Sequence, residues 1–353
     1  MKNLILPLTL IFLSSLGCES DPSSPPPVQP ADMIENGVYI LNEGDFADPE
    51  GARLSLYDID RDTVYRDVYE GSNGGTHLGN LGDDLKILDD RIYILMSGSE
   101  NLSEINLADH TLLRGVSFPG SSPHDLLIDP ARNRAYVTRL FSSSVLVLDF
   151  GMLTAIDTII VGANPQEMLL INDYLFICNS GYGSDRTVSV IHVQDNSIDS
   201  TLILSDGPTE AVLASDGRVW VSCSGNAFGF PPTLGKVYMI NPATLAIEDS
   251  VLFQENLWGA IASGVDGNVY VLGVDGDFGG PVHRITPSTR LVTEDFIPGT
   301  FYAMGVDPVT GDLYLSDARG FASDGEVSIF ESDGTYRARF TAQKGPGAFA
   351  FKR

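Results

Sequence analysis

What most constrains this chain is that it repeats itself. Residues 123–162 hold four short segments, HDLLID, RAYVTRL, SSVLVLDF and AIDTIIVG, each β-branched or alternating in polarity and each set off by turn residues. The plan recurs before them as DLKILDD, RIYILMS, LSEINL and TLLRGVSF. It recurs after them as EMLLIN, YLFICNS, TVSVIHV and IDSTLIL, then as EAVLAS, RVWVSCS, KVYMIN and LAIEDSVLF. Two further units open at Gly259 and Ala303, so first segments begin at 84, 125, 167, 210, 259 and 303, a spacing that suits four strands and their loops. No long stretch has helical periodicity.

The two ends of the repeat belong together. The first unit has only three strands, GVYILNEG, ARLSLYD and TVYRDVY, and its missing inner strand stands at the far end as GAFAFK, residues 347–352. The expected fold is all-β: a seven-bladed β-propeller of four-stranded blades, closed by the C-terminal strand pairing in the first blade. Closure removes the bare edges that an open stack would leave. It also explains how so long a chain escapes the limit on a single core, because each blade packs only on its neighbours.

Ahead of the propeller (36–353), residues 1–17 read as a lipoprotein signal peptide. Leu4 to Leu16 is apolar but too short to span a membrane. Gly17-Cys18 resembles a bacterial lipobox, with Ser15 where an aliphatic residue is usual, which makes Cys18 the lipidation site. Residues 18–35 are a flexible, proline-rich tether. The expected location is the cell envelope, lipid-anchored at the outer membrane or cell surface. Glu19 and Asp21 resemble the acidic surface-export signals of some Bacteroidetes lipoproteins. A net charge of −26 excludes nucleic acid as a partner. Cys178 and Cys223 end equivalent strands of adjacent blades and are either a disulfide or two buried thiols.

The stretch RAYVTRLFSSSVLVLD, residues 134–149, resembles the YVTN repeat of surface-layer and YncE-like propellers. The opening YILNEG, then LSLYD, is similar to the start of Bacteroidetes propeller lipoproteins of that group. The resemblance implies a cell-surface lipoprotein. Some members bind a corrinoid and sit on a TonB-dependent transporter, so it also implies those two partners. Blade signatures record packing, not ligand.

Function is expected on the face that carries the long loops, those from second to third strand and from the fourth to the next blade. The former carry glycine-flanked aromatics in every blade but the second: Phe46, Phe141, Tyr182, Phe228 with Phe230, Phe278 and Phe321. Such side chains either line a ligand site or fold back over the gaps between blades. At the channel mouth the inner strands open on Asp84, Asp125, Glu167, Glu210, Gly259, Ala303 and Ala348, preceded by Asp83, His124, Gln166, Thr209, Trp258, Tyr302 and Gly347. One arc is thus acidic, and the other is small and flanked by Trp258 and Tyr302. The carboxylates serve either a ligand or the backbone amides of the next blade.

Three functions stay open: a non-catalytic binding module for a bulky small molecule, a metal-dependent lactonase or lyase, and a protein-interaction scaffold. No cofactor is expected, although the acidic arc leaves room for a divalent cation near His124 or His77. Asp58, Asp60 and Asp62 mimic a calcium loop but fail at Thr63 and Tyr69, and read instead as a hairpin turn.

Overall fold

The computed structural model describes residues 34–276 and 278–353; Cys18, the signal peptide and nearly all of the tether lie outside them. These residues form seven four-stranded antiparallel sheets. We letter the strands of each blade a to d, from the channel outward.

Blade one pairs Gly37–Asn42 as strand b with the C-terminal Pro346–Lys352 as strand a, in the register Val38 to Phe351 and Ile40 to Phe349. The ring is therefore closed as the sequence implies. The strands a of the following blades are Gly82–Leu88, Pro123–Asp129, Pro165–Ile171, Pro208–Leu213, Leu257–Ser263 and Ala303–Val306. In blades two to six these begin two residues before the expected positions, because the ladder resumes on the far side of a register slip. Four of them, counting the closing strand, open on proline, which lacks a ladder donor and is tolerated at a first strand position.

Strands b are buried on both faces, as in Arg91–Met96 and Tyr174–Asn179, which explains their nearly unbroken apolar runs. The outer strands, such as Thr154–Ile160 and Ser197–Ile203, are mostly exposed. The core is accordingly seven layers, each shared by two adjacent blades, from Tyr39, Leu41, Ile92 and Ile94 between blades one and two to Val38, Ile40, Tyr314 and Val327 at the seam. Cys178 and Cys223 lie buried in one layer as free thiols.

One segment departs from expectation. TVYRDVY does not run as one strand: pairing stops at Tyr65, Asp67 takes a left-handed backbone, and Val68–Ser72 is a one-turn helix with Val68 and Tyr69 packed in the first core layer. Asp58 behaves as a turn residue, its Oδ1 accepting the Asp60 and Arg61 amides.

Candidate functional site

The strand-a slips lie where side chains open into the channel. A bulge bends its strand and re-aims the neighbouring side chains, so successive residues such as Asp83 and Asp84 both reach the mouth. There they line a cavity of about 360 Å³ with Glu43, Lys86, His124, Gln166, Glu167, Glu210, Trp258 and Tyr302. Asp125 sits one level lower, in a second cavity of about 290 Å³ that Lys86 also lines.

Three inner-strand carboxylates are stitched to the next blade. Asp84 accepts the Leu126 amide at 2.9 Å, Asp125 the Met168 amide at 2.8 Å and Glu210 the Ile261 amide at 2.9 Å. For these the plainer alternative holds: they bind backbone. Glu167, at the equivalent place in blade four, receives no such amide; its near cation is His124, with Nε2 3.8 Å away.

Two cations answer the carboxylates. Lys86 Nζ lies 3.0 Å from Asp84 and 3.5 Å from Asp125. His124 Nδ1 is 2.9 Å from Asp83, whose other oxygen accepts the Ser97 amide at 3.1 Å. Sequence reasoning missed Lys86, although it lies two residues beyond Asp84 and so shares its face of the strand. It also missed Glu43, which follows strand b of blade one and accepts the Tyr302 hydroxyl at 2.7 Å. No local pattern marks Glu43, since its place depends on the closing strand, through Glu43 N–H to Gly345.

Burial displaces the acids upward. Asp84 is raised to about 6, with Lys86 opposing. Asp125 also reaches about 6, the Glu167 charge adding to burial. Glu167 and Glu210 reach about 7, the Glu210 charge contributing at Glu167 and the Ile261 amide opposing at Glu210. Glu43 reaches about 8 by burial against the Tyr302 hydrogen bond. Burial pushes His124 down, but the hydrogen bond and charge of Asp83, with Glu167 and Asp125, outweigh it and hold the ring at about 9. His124 is therefore a cation at neutral pH.

The aromatics divide into two groups. Trp258 and Tyr302 stand side by side on the mouth wall with ring centroids 5.9 Å apart. Phe321 packs edge-on against Tyr302 at 5.3 Å and Phe278 against Phe321 at 5.5 Å, extending that wall up the rim. The other loop aromatics do not fold back: Phe46 is 83 %, Phe141 71 %, Tyr182 66 %, Phe228 101 % and Phe230 104 % exposed. Burial, with the Asp83 charge adding to it, raises the Tyr182 hydroxyl. Outside the mouth, His110 bonds the Tyr39 hydroxyl at 2.8 Å and His283 lies 2.7 Å from Glu255. His77 stands between Glu50 and Glu70, 3.7 and 3.8 Å away. Among the described residues no three His, Cys, Asp or Glu side chains are grouped so as to hold a metal ion.

A family model described as a domain of unknown function, DUF5074, matches residues 36–337. No curated protein matches the chain. Among solved structures it is similar to a quinonprotein alcohol dehydrogenase-like protein of Bacteroides thetaiotaomicron, at TM-score 0.70 and 15 % identity over 91 % of this chain and 79 % of that one. A putative 6-phosphogluconolactonase of Bacteroides fragilis gives 0.68 and 12 % over 92 % and 99 %. Virginiamycin B lyase of Staphylococcus aureus gives 0.55 and 14 % over 73 % and 83 %. At these identities the likeness is one of fold.

Proposed function

The chain belongs to the DUF5074 family, and from that premise we propose that it is a non-catalytic ligand-binding module of the cell envelope, with its site at the channel mouth. One observation carries this reading: apart from Glu167, the acids of the mouth and its histidine are already engaged with protein partners. A general base needs a free lone pair near its substrate, yet His124 is a cation held on Asp83. Asp84, Asp125 and Glu210 hold backbone amides of the next blade. An ammonium, Lys86, already answers Asp84 and Asp125, 3.0 and 3.5 Å away.

What remains is recognition. The mouth is at the small end of the range for ligand pockets, so it holds part of a ligand while the exposed rim aromatics meet the rest. Rigid aromatics give large contact area at low entropic cost. A bulky molecule with flat apolar parts and polar edges suits this arrangement. A corrinoid is the first to test, on the resemblance to surface propellers. In this reading a lipid on Cys18 holds the ring to the outer membrane, beside a TonB-dependent transporter that receives the ligand.

Calorimetric titration of the protein with cyanocobalamin tests it. Binding that Trp258→Ala or the Phe228→Ala/Phe230→Ala pair weakens about tenfold or more, as expected for loss of a buried aromatic anchor, supports the reading. Hydrolase or lyase activity that chelation abolishes would sink it.

A further inference from the structure

We infer that the mouth takes the protonated amine of an apolar-bodied ligand, with the ammonium against Glu167 and Glu210 and the body against Trp258 and Tyr302. This rests on the mouth being the ligand site and names the chemistry it selects.

Two independent halves of the cavity lead there. The first is charge. Five carboxyl groups line the mouth against two cations, and each cation is held by a specific partner, Lys86 by Asp84 and His124 by Asp83. Glu167 is left without a backbone amide and Glu210 with one, so these two carboxyls keep acceptor capacity toward the mouth. The mouth's carboxyls outnumber its cations, so it favours a cation over an anion.

The second half is shape. Across from the acidic arc the inner strands carry Gly259, Ala260, Ala303 and Ala348, and this small lining is what leaves the cavity its volume. Trp258 and Tyr302 wall that space, their rings tilted 58° to each other. Aromatic faces beside carboxylates attract an ammonium through the ring quadrupole while covering an apolar chain. A larger side chain is resisted here: a β-carbon on Gly259, whose φ is +122°, would sit 3.0 Å from Thr209.

The test is a parallel titration with phenethylamine, its uncharged counterpart 2-phenylethanol, and cyanocobalamin. The expected result is that phenethylamine binds about tenfold or more tightly than 2-phenylethanol, the scale of a cation on a desolvated aromatic and carboxylate site. Glu167→Gln and Glu210→Gln should each erode that preference and together remove it, with unchanged circular dichroism reporting an intact ring. Equal binding of the two phenyl probes, or binding of cyanocobalamin alone, overturns the amine inference and leaves the mouth as a ligand site. Silence from all three overturns both.

Discussion

At the scale of single residues the mouth is a balance of charges held out of water. Glu167 shows its direction. A carboxyl raised to about 7 in the fold keeps a proton that the unfolded chain has lost above about pH 4.3. Stability from this group is therefore full below that value and declines as pH rises toward 7. Asp84, Asp125, Glu210 and Glu43 act in the same sense up to about pH 8. His124, raised to about 9, contributes stability that is present below its ordinary value and disappears as pH rises through 9. Every one of these shifts makes the ring weaker in base. Glu167→Gln should raise the melting temperature at pH 8 by a few degrees and leave it unchanged at pH 4. Thermal melts across that range decide it, and a variant less stable than the parent at pH 8 would refute the assignment. The acidic arc was legible in the sequence because each carboxyl holds the same place in an equivalent strand. Lys86 was not, because its role appears only when the alternation of its own strand is read together with Asp125 of the neighbouring blade.

At the scale of elements, legibility followed the same division. Strands with strong periodicity and turn residues between them identified blades two to seven, and the missing strand of blade one identified the closure. The one failure, TVYRDVY, has β-branched and aromatic residues that suit a strand, but Val68 and Tyr69 find burial in the first core layer as a helical turn instead. The closing strand carries a further consequence for stability. Arg353, just beyond it, pairs with Asp307, which is fully buried and also accepts the Val309 and Thr310 amides. Breaking one partner of a buried pair leaves a charge uncompensated, so Arg353→Ala should cost about 3 kcal/mol in chemical denaturation. Deleting residues 346–353 removes the whole strand and bares both the Gly37–Asn42 edge and two core layers. That variant should run as oligomers or aggregate in size-exclusion chromatography; a stable monomer would show that the ring does not need its closure.

At the scale of the whole molecule, one strand relates the two faces. Strand b of blade one enters at the face of the tight turns, where Asn36 bonds Asp60 at 3.0 Å and accepts the Ile59 amide at 3.1 Å. Six residues later it delivers Glu43 to the mouth. The chain thus joins the ring on the face opposite the site, and in a lipid-anchored protein the tether pulls the turn face toward the membrane and leaves the mouth toward the medium. A tether over residues 18–33 reaches at most about 58 Å when fully extended. Turning the mouth to the bilayer would need the tether to run along the side of the ring, an ordering that costs chain entropy. With the lipidated protein on vesicles containing spin-labelled lipid, a fluorophore at Asp60→Cys should be quenched more than one at Phe228→Cys. The reverse order would place the exposed aromatics at the bilayer. The rim would then be a membrane-contact surface and its part in ligand binding would fall, while the amine test on Glu167 and Glu210 would be unaffected, because those groups lie inside the mouth whichever way the ring faces.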